Sequence, residues 1–182
     1  MLARLVRRPL TWIIVAALVV GAGIGLYWFQ PWKLFTSTTV NETLPSVDAP
    51  PPAPGVTAEP TVTPGNTLLA TGTLITHEHR TSGTVRLVRL ADGRTQLVFA
   101  NLSTSDGPDL RVWLTDQPVK PGTAGWKVFD DGRWVELGKL KGNKGNQVYD
   151  VPADLDLDGL RSVSIWCKRF SVSFGAAELR TG

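Results

Sequence analysis

Hydrophobic and polar positions change rhythm twice along this chain. Leu10 to Phe29 is an uncharged, overwhelmingly apolar run, long enough as a helix to cross about 30 Å of hydrocarbon. From Thr36 to Gly65 no period holds, because Pro45, Pro50, Pro51, Pro52, Pro54, Pro60 and Pro64 interrupt Thr, Val and Ala. Proline removes amide donors and pushes its predecessor toward extended geometry, which excludes a helix or a central strand there. Beyond Asn66 the period is two. Leu97 and Phe99 alternate with Gln96 and Val98, and Leu110, Val112 and Leu114 with Arg111, Trp113 and Thr115. Val163, Ile165 and Cys167 alternate with Ser162, Ser164 and Trp166. Such alternation predicts strands with two unlike faces.

Leu90-Ala91-Asp92-Gly93-Arg94 and Asp130-Asp131-Gly132 separate apolar runs and predict turns, with glycine free to take positive φ. Short strands at this spacing predict an all-β domain. It is an antiparallel β-sandwich of jelly-roll or immunoglobulin-like kind, with an incomplete barrel as the alternative. The chain thus divides into a basic N-terminus (1–9), a transmembrane helix (10–29), a Pro/Thr-rich linker (30–65) and a β-domain (66–182).

Charge at the flanks orients the helix. Arg4, Arg7 and Arg8 precede it and only Lys33 follows closely, so the positive-inside bias puts the N-terminus in the cytoplasm and the domain outside. The expected location is the plasma membrane, single-pass, with residues 10–29 as the signal anchor and the membrane as a partner. Trp12 near one end and Tyr27, Trp28 and Trp32 near the other suit the two interfaces. A cleaved signal peptide is the competing reading, with Gly21-Ala22-Gly23 as the cleavage region, but the apolar run continues to Phe29. Ala17, Gly21 and Gly25 share one small-residue face that can bring two helices together. Glycine is also simply common in membrane helices, so the oligomeric state stays open. The linker reads as a semi-rigid spacer holding the domain away from the bilayer. Asn41-Glu42-Thr43 and Asn101-Leu102-Ser103 are sequons by pattern.

Composition excludes much chemistry. A net charge of +3, scattered along the chain, argues against nucleic acid as a partner. One cysteine excludes an internal disulfide framework, and two histidines exclude a zinc-finger array. No nucleophile elbow and no phosphate-cradling glycine loop occurs, so no hydrolase, transferase or nucleotide-binding activity is indicated. Asp106, Asp109, Asp130 and Asp131 fall at turns, where Asp is favoured for backbone reasons. Trp113, Trp126, Trp134 and Trp166 read as core or sheet-face residues rather than a carbohydrate platform, with exposure of Trp126 in its Gly-rich stretch as the alternative.

Cys167 is the one thiol, on the expected extracytoplasmic side. It is either a small buried hydrophobe on the face of Val163 and Ile165, or a redox thiol, a haem or soft-metal ligand, or half of an intermolecular disulfide. Lys168 and Arg169 favour its thiolate if their charges point toward it. His77 and His79 share a side if their segment is a strand, and with Cys167 they make a two-His, one-Cys set of the kind copper uses. Nothing shows convergence, and outward-facing polar histidines are the simpler reading, so no metal is expected. Asp154-Leu155-Asp156-Leu157-Asp158-Gly159 copies half a calcium loop, but its twelfth position is Ile165 rather than Glu. A solvated acidic turn is the better reading.

The run Val163-Ser164-Ile165-Trp166-Cys167-Lys168-Arg169-Phe170-Ser171-Val172-Ser173-Phe174-Gly175 resembles the signature of the electron-transfer DM-thirteen domain: a strand ending in Trp-Cys, two variable residues, Phe, an alternating strand, then Phe-Gly. Tyr149-Asp150-Val151-Pro152 resembles that family's hydrophobic-Pro step, and Gly107-Pro108-Asp109-Leu110 with Val112 and Leu114 its central strand. Gly72 and His79-Arg80-Thr81-Ser82-Gly83 resemble its opening. The resemblance runs from Leu68 to Leu179. It implies a β-sandwich like that of Skeletor-like cell-surface proteins, where the domain accompanies DOMON domains, and of bacterial membrane proteins that carry it alone. It implies electron transfer through Cys167, either as a bare thiol or holding a prosthetic group such as haem, with His79 as the second cofactor-binding candidate. No DOMON partner lies in this chain, so a redox partner protein is implied. A non-catalytic binding module at the cell surface or envelope, with Cys167 serving core packing, is the alternative.

Overall fold

The structure, a computed structural model, describes residues 9–47 and 65–181. Helix α1, Pro9–Phe29, buries none of its residues against the protein, and it is long and apolar enough to cross a membrane. A 3-10 turn, Pro31–Phe35, follows.

Among the described residues ten strands form two sheets. They are β1 (Thr39–Asn41), β2 (Thr67–Thr73), β3 (Ile75–Thr76), β4 (Ser82–Arg89), β5 (Thr95–Ser103), β6 (Leu110–Thr115), β7 (Trp134–Lys139), β8 (Lys144–Val151), β9 (Ser162–Cys167) and β10 (Val172–Glu178). One sheet is ordered β1-β8-β5-β4-β2 and the other β3-β10-β9-β6-β7. Pairing is antiparallel except between β1 and β8. This is the expected sandwich. Val85, Leu87, Leu97, Phe99 and Tyr149 of the first sheet face Leu110, Val112, Leu114, Val163, Ile165, Cys167 and Phe174 of the second in one apolar core. The period-two sequences account for it, since each strand hands alternate side chains to the same interior.

Both expected turns are present. At the β4–β5 hairpin, Leu90 and Arg94 bond across the turn (2.8 Å) and Gly93 takes φ 88°. Gly175, beside a bulge in β10, leaves no room for a side chain, because a β-carbon would meet Thr81 Cβ at 2.5 Å and Ile75 O at 2.8 Å. The Phe-Gly pair of the C-terminal signature thus lets β3 and the Thr81 loop close over β10.

The linker differs from expectation. Its first part, through residue 47, is packed on the domain rather than spanning space. Strand β1 pairs with β8 from Thr39↔Lys144 to Asn41↔Asn146. Glu42 then accepts the Val148 amide (2.6 Å) and pairs with Lys141 (2.7 Å). Thr36 to Leu44 is free of proline, and an edge strand needs to pair on one side only, so proline further along does not prevent it. The proline-dense part, residues 48–64, lies outside the described residues.

Candidate functional site

Cys167 ends β9, and Lys168 to Ser171 turn the chain back into β10. The β-register places Leu110 and Val172 beside the cysteine. Its side chain faces the core and is 0% exposed. Burial pushes the thiol pKa up, while the backbone amides of Phe170, Arg169 and Asp109 pull the other way and the Glu78 carboxylate adds to the rise.

The neighbouring charges are spent elsewhere. Lys168 Nζ sits 3.5 Å from Glu136. Arg169 reaches toward helix α1 and donates to the carbonyls of Tyr27 (3.0 Å) and Trp28 (2.8 Å). Those are last-turn carbonyls without helical partners, where a cation is favoured. The condition on which the two charges would favour the thiolate, that they point toward it, is not met.

Above this turn lies a cleft of about 350 Å³ lined by Phe29, Pro31, Glu78, His79, Phe170 and Phe174, among others. Phe29 stacks on Phe170 (5.6 Å, 24°). The His79 ring lies on Phe174 (3.9 Å), with Nε2 3.9 Å from Glu78. Burial lowers the His79 pKa, with Glu78 opposing. No hydrogen bond joins His79 to Cys167, and the cysteine does not line the cleft. Gly107 forms part of the wall, where a β-carbon would meet Phe174 Cζ at 2.9 Å.

His77 goes to the opposite face of the second sheet. Residues 77–79 form a bend rather than a strand, so the two imidazoles diverge. His77 is buried, and neither histidine is the outward-facing polar residue expected from sequence. Its Nδ1 lies 2.9 Å from Ser173 Oγ and its Nε2 3.0 Å from the Lys120 carbonyl. Ser164 donates to Ser173, which leaves Ser173 to donate to Nδ1 and the Nε2–H to donate to Lys120. Burial lowers the His77 pKa, in keeping with this neutral relay.

The fit of the groups considered follows from this geometry. As placed, the sulfur has no open side on which an iron could sit, and His79 is turned to Glu78 and Phe174. A haem held by Cys167 and His79 does not fit this arrangement. Among the described residues no three His, Cys, Asp or Glu side chains cluster as a metal site. The half calcium loop forms turns, with Arg133 3.7 Å from Asp156 and donating to the Asp158 carbonyl.

The outer face of the second sheet carries a feature the alternation did not announce. Trp134 stacks on Trp113 (4.0 Å, 6°) and Trp113 on Trp166 (4.9 Å, 23°). Phe129 meets Trp166 edge-on (6.4 Å) and lies against His77 (5.7 Å). The indoles come from β7, β6 and β9, three adjacent strands, so register could have revealed the stack once pairing was known. Trp126 is half buried against the core, with a buried Nε1 that lacks a partner.

A family model described as Electron transfer DM13 matches residues 73–179, more than half of the chain. The chain belongs to that family. The DM13 match ends at Leu179, as the resemblance read from the sequence does, and takes in Cys167, its turn, the cleft-lining Phe170 and Phe174, and His79. No curated protein and no solved structure matches. An electron-transfer-related function follows for the DM13 domain at family level.

Proposed function

We propose that this chain is a membrane-anchored electron-transfer module whose domain stands on the extracytoplasmic side and whose redox residue is Cys167, acting in redox modification at the cell surface. Arg4, Arg7 and Arg8 before the helix support the orientation. The observation that carries the reading is the setting of the sulfur: Cys167 ends β9 beside Leu110 and Val172, the Lys168–Ser171 turn begins at it, and the ring of Phe170 in that turn walls a cleft holding Glu78 and His79. A partner reaches the sulfur when the Lys168–Ser171 turn opens locally into the cleft walled by Phe170.

Full burial of Cys167 favours a second reading, in which the thiol only fills the core. Alkylation kinetics of the folded chain in lipid nanodiscs, compared with Phe170→Ala, separate the two. On the redox reading, labelling proceeds without global unfolding and Phe170→Ala accelerates it. On the packing reading, labelling tracks global unfolding alone.

A further inference from the structure

The stacked indoles of the second sheet have a polarity. Trp134 is 39% exposed, Trp113 3% and Trp166 1%. The column therefore leads from solvent into the sheet and ends on the residue bonded to Cys167. Rings at 4.0 and 4.9 Å, the first pair nearly parallel at 6°, are in face-to-face contact, which gives continuous overlap of π-systems. The middle ring has a proton acceptor: Trp113 Nε1 donates to Glu136 Oε2 at 3.4 Å. Glu136 is held in place by Arg111 (2.6 Å) and Lys168 (3.5 Å). Burial works against its charge, but the Trp113 N–H and the two cations keep it ionised more readily than an ordinary Glu.

We infer that Trp134, Trp113 and Trp166 form a one-electron path between a partner docked at Trp134 and the interior beside Cys167, with Glu136 as the proton acceptor for Trp113. The partner class is a one-electron oxidant, such as a metal-centred redox protein. It takes one electron from Trp134, and Trp113 refills that ring through the stack. Trp113, now short one electron, releases its Nε1 proton to the Glu136 carboxylate, leaving a neutral indolyl radical beside a neutral carboxylic acid. Cys167 supplies the refilling electron: its S–H proton leaves to water as the Lys168–Ser171 turn opens, a Cys167 thiyl radical remains, and Glu136 returns its proton to Trp113, which restores both the indole and the carboxylate. The inference rests on the electron-transfer reading of the domain and explains how a sealed sulfur exchanges electrons, since an electron passed from ring to ring needs no contact between the partner and the sulfur.

The test uses the full chain in nanodiscs, with Trp12, Trp28 and Trp32 replaced by Phe so that membrane indoles do not contribute. The oxidant is photogenerated tris(bipyridine)ruthenium(III), and transient absorption reads the indolyl radical. The expected result is a neutral radical whose yield falls several-fold in Trp134→Phe. Added ferrocyanide should quench it several-fold faster in Trp113→Phe, where the radical is stranded at the surface. Glu136→Gln should convert the neutral-radical spectrum to that of the radical cation. Equal yield in Trp134→Phe, or equal quenching in Trp113→Phe, overturns the path; an unchanged neutral spectrum in Glu136→Gln overturns the proton assignment. Cys167→Ser leaves the Trp134-dependent yield intact, so failure of the cysteine reading and failure of this one show in different variants.

Discussion

Phe29, the last residue of helix α1, stacks on Phe170 in the turn that follows Cys167 (5.6 Å, 24°). Arg169 ties the same turn to the carbonyls of Tyr27 and Trp28. The helix end and the cysteine turn are therefore one packed unit, and the turn opens only if that contact breaks. A stacked aromatic pair contributes about 1 kcal/mol beyond its area. Phe170→Ala should therefore raise the alkylation rate of Cys167 roughly fivefold or more. Iodoacetamide labelling of the folded chain followed by mass spectrometry checks it.

Replacing Cys167 by Ser puts a hydroxyl where a fully buried sulfur lay among Leu110, Ile165 and Val172. An unpaired buried hydroxyl costs about 1–3 kcal/mol. The surrounding side chains Leu110, Ile165 and Val172 offer the hydroxyl no acceptor, so the expected loss lies within that range. Urea unfolding followed by tryptophan fluorescence measures it, with Cys167→Ala expected to be milder.

At Gly175 the cost is steric. The added methyl group of Gly175→Ala would press on Thr81 Cβ at 2.5 Å and on the Ile75 carbonyl at 2.8 Å. Backbone cannot yield as a flexible side chain can, and overpacking of this kind costs about 1–3 kcal/mol. The same unfolding assay should show the loss, with secondary structure retained by circular dichroism.

Two histidines make stability depend on pH. Burial lowers the folded-state pKa of both His77 and His79, so the unfolded chain binds protons more readily than the folded one. The stability contributed by keeping them neutral is complete above the ordinary imidazole value of about 6.5. It is lost as pH falls below that value toward the folded pKa. His77→Gln should flatten the slope between about pH 6.5 and 5 more than His79→Gln does, because only His77 is bonded at both nitrogens. Unfolding midpoints across that range read the difference.

Much of this was legible in the sequence because alternation reports directly on which face is buried. Val163, Ile165 and Cys167 share the core face as their spacing implied, and Trp166 takes the opposite one. The Asp-Gly turn at Asp92 and the apolar helix were readable for the same local reasons. What escaped depends on partners distant in sequence. Strand β1 exists because β8 offers an edge, and Thr39 to Asn41 alone carries too few residues to announce it. The divergence of His77 and His79 follows from a bend that β10 imposes through the Phe174 and Ser173 carbonyls. Arg169 looked like a thiolate activator because it follows Cys167, yet its guanidinium goes to carbonyls 141 and 142 residues away.

The central claim is that Cys167 is the electron-transfer residue, and it is tested most directly by counting oxidising equivalents. The reduced chain in nanodiscs is titrated anaerobically with ferricyanide, a one-electron oxidant too mild for indole, and its bleaching is followed. One thiol loses one electron and one proton for each ferricyanide reduced, and two such chains can close a disulfide. The account expects ferricyanide consumption by the wild-type chain, faster in Phe170→Ala, and none above the blank in Cys167→Ser. Equal consumption by the wild type and Cys167→Ser contradicts it.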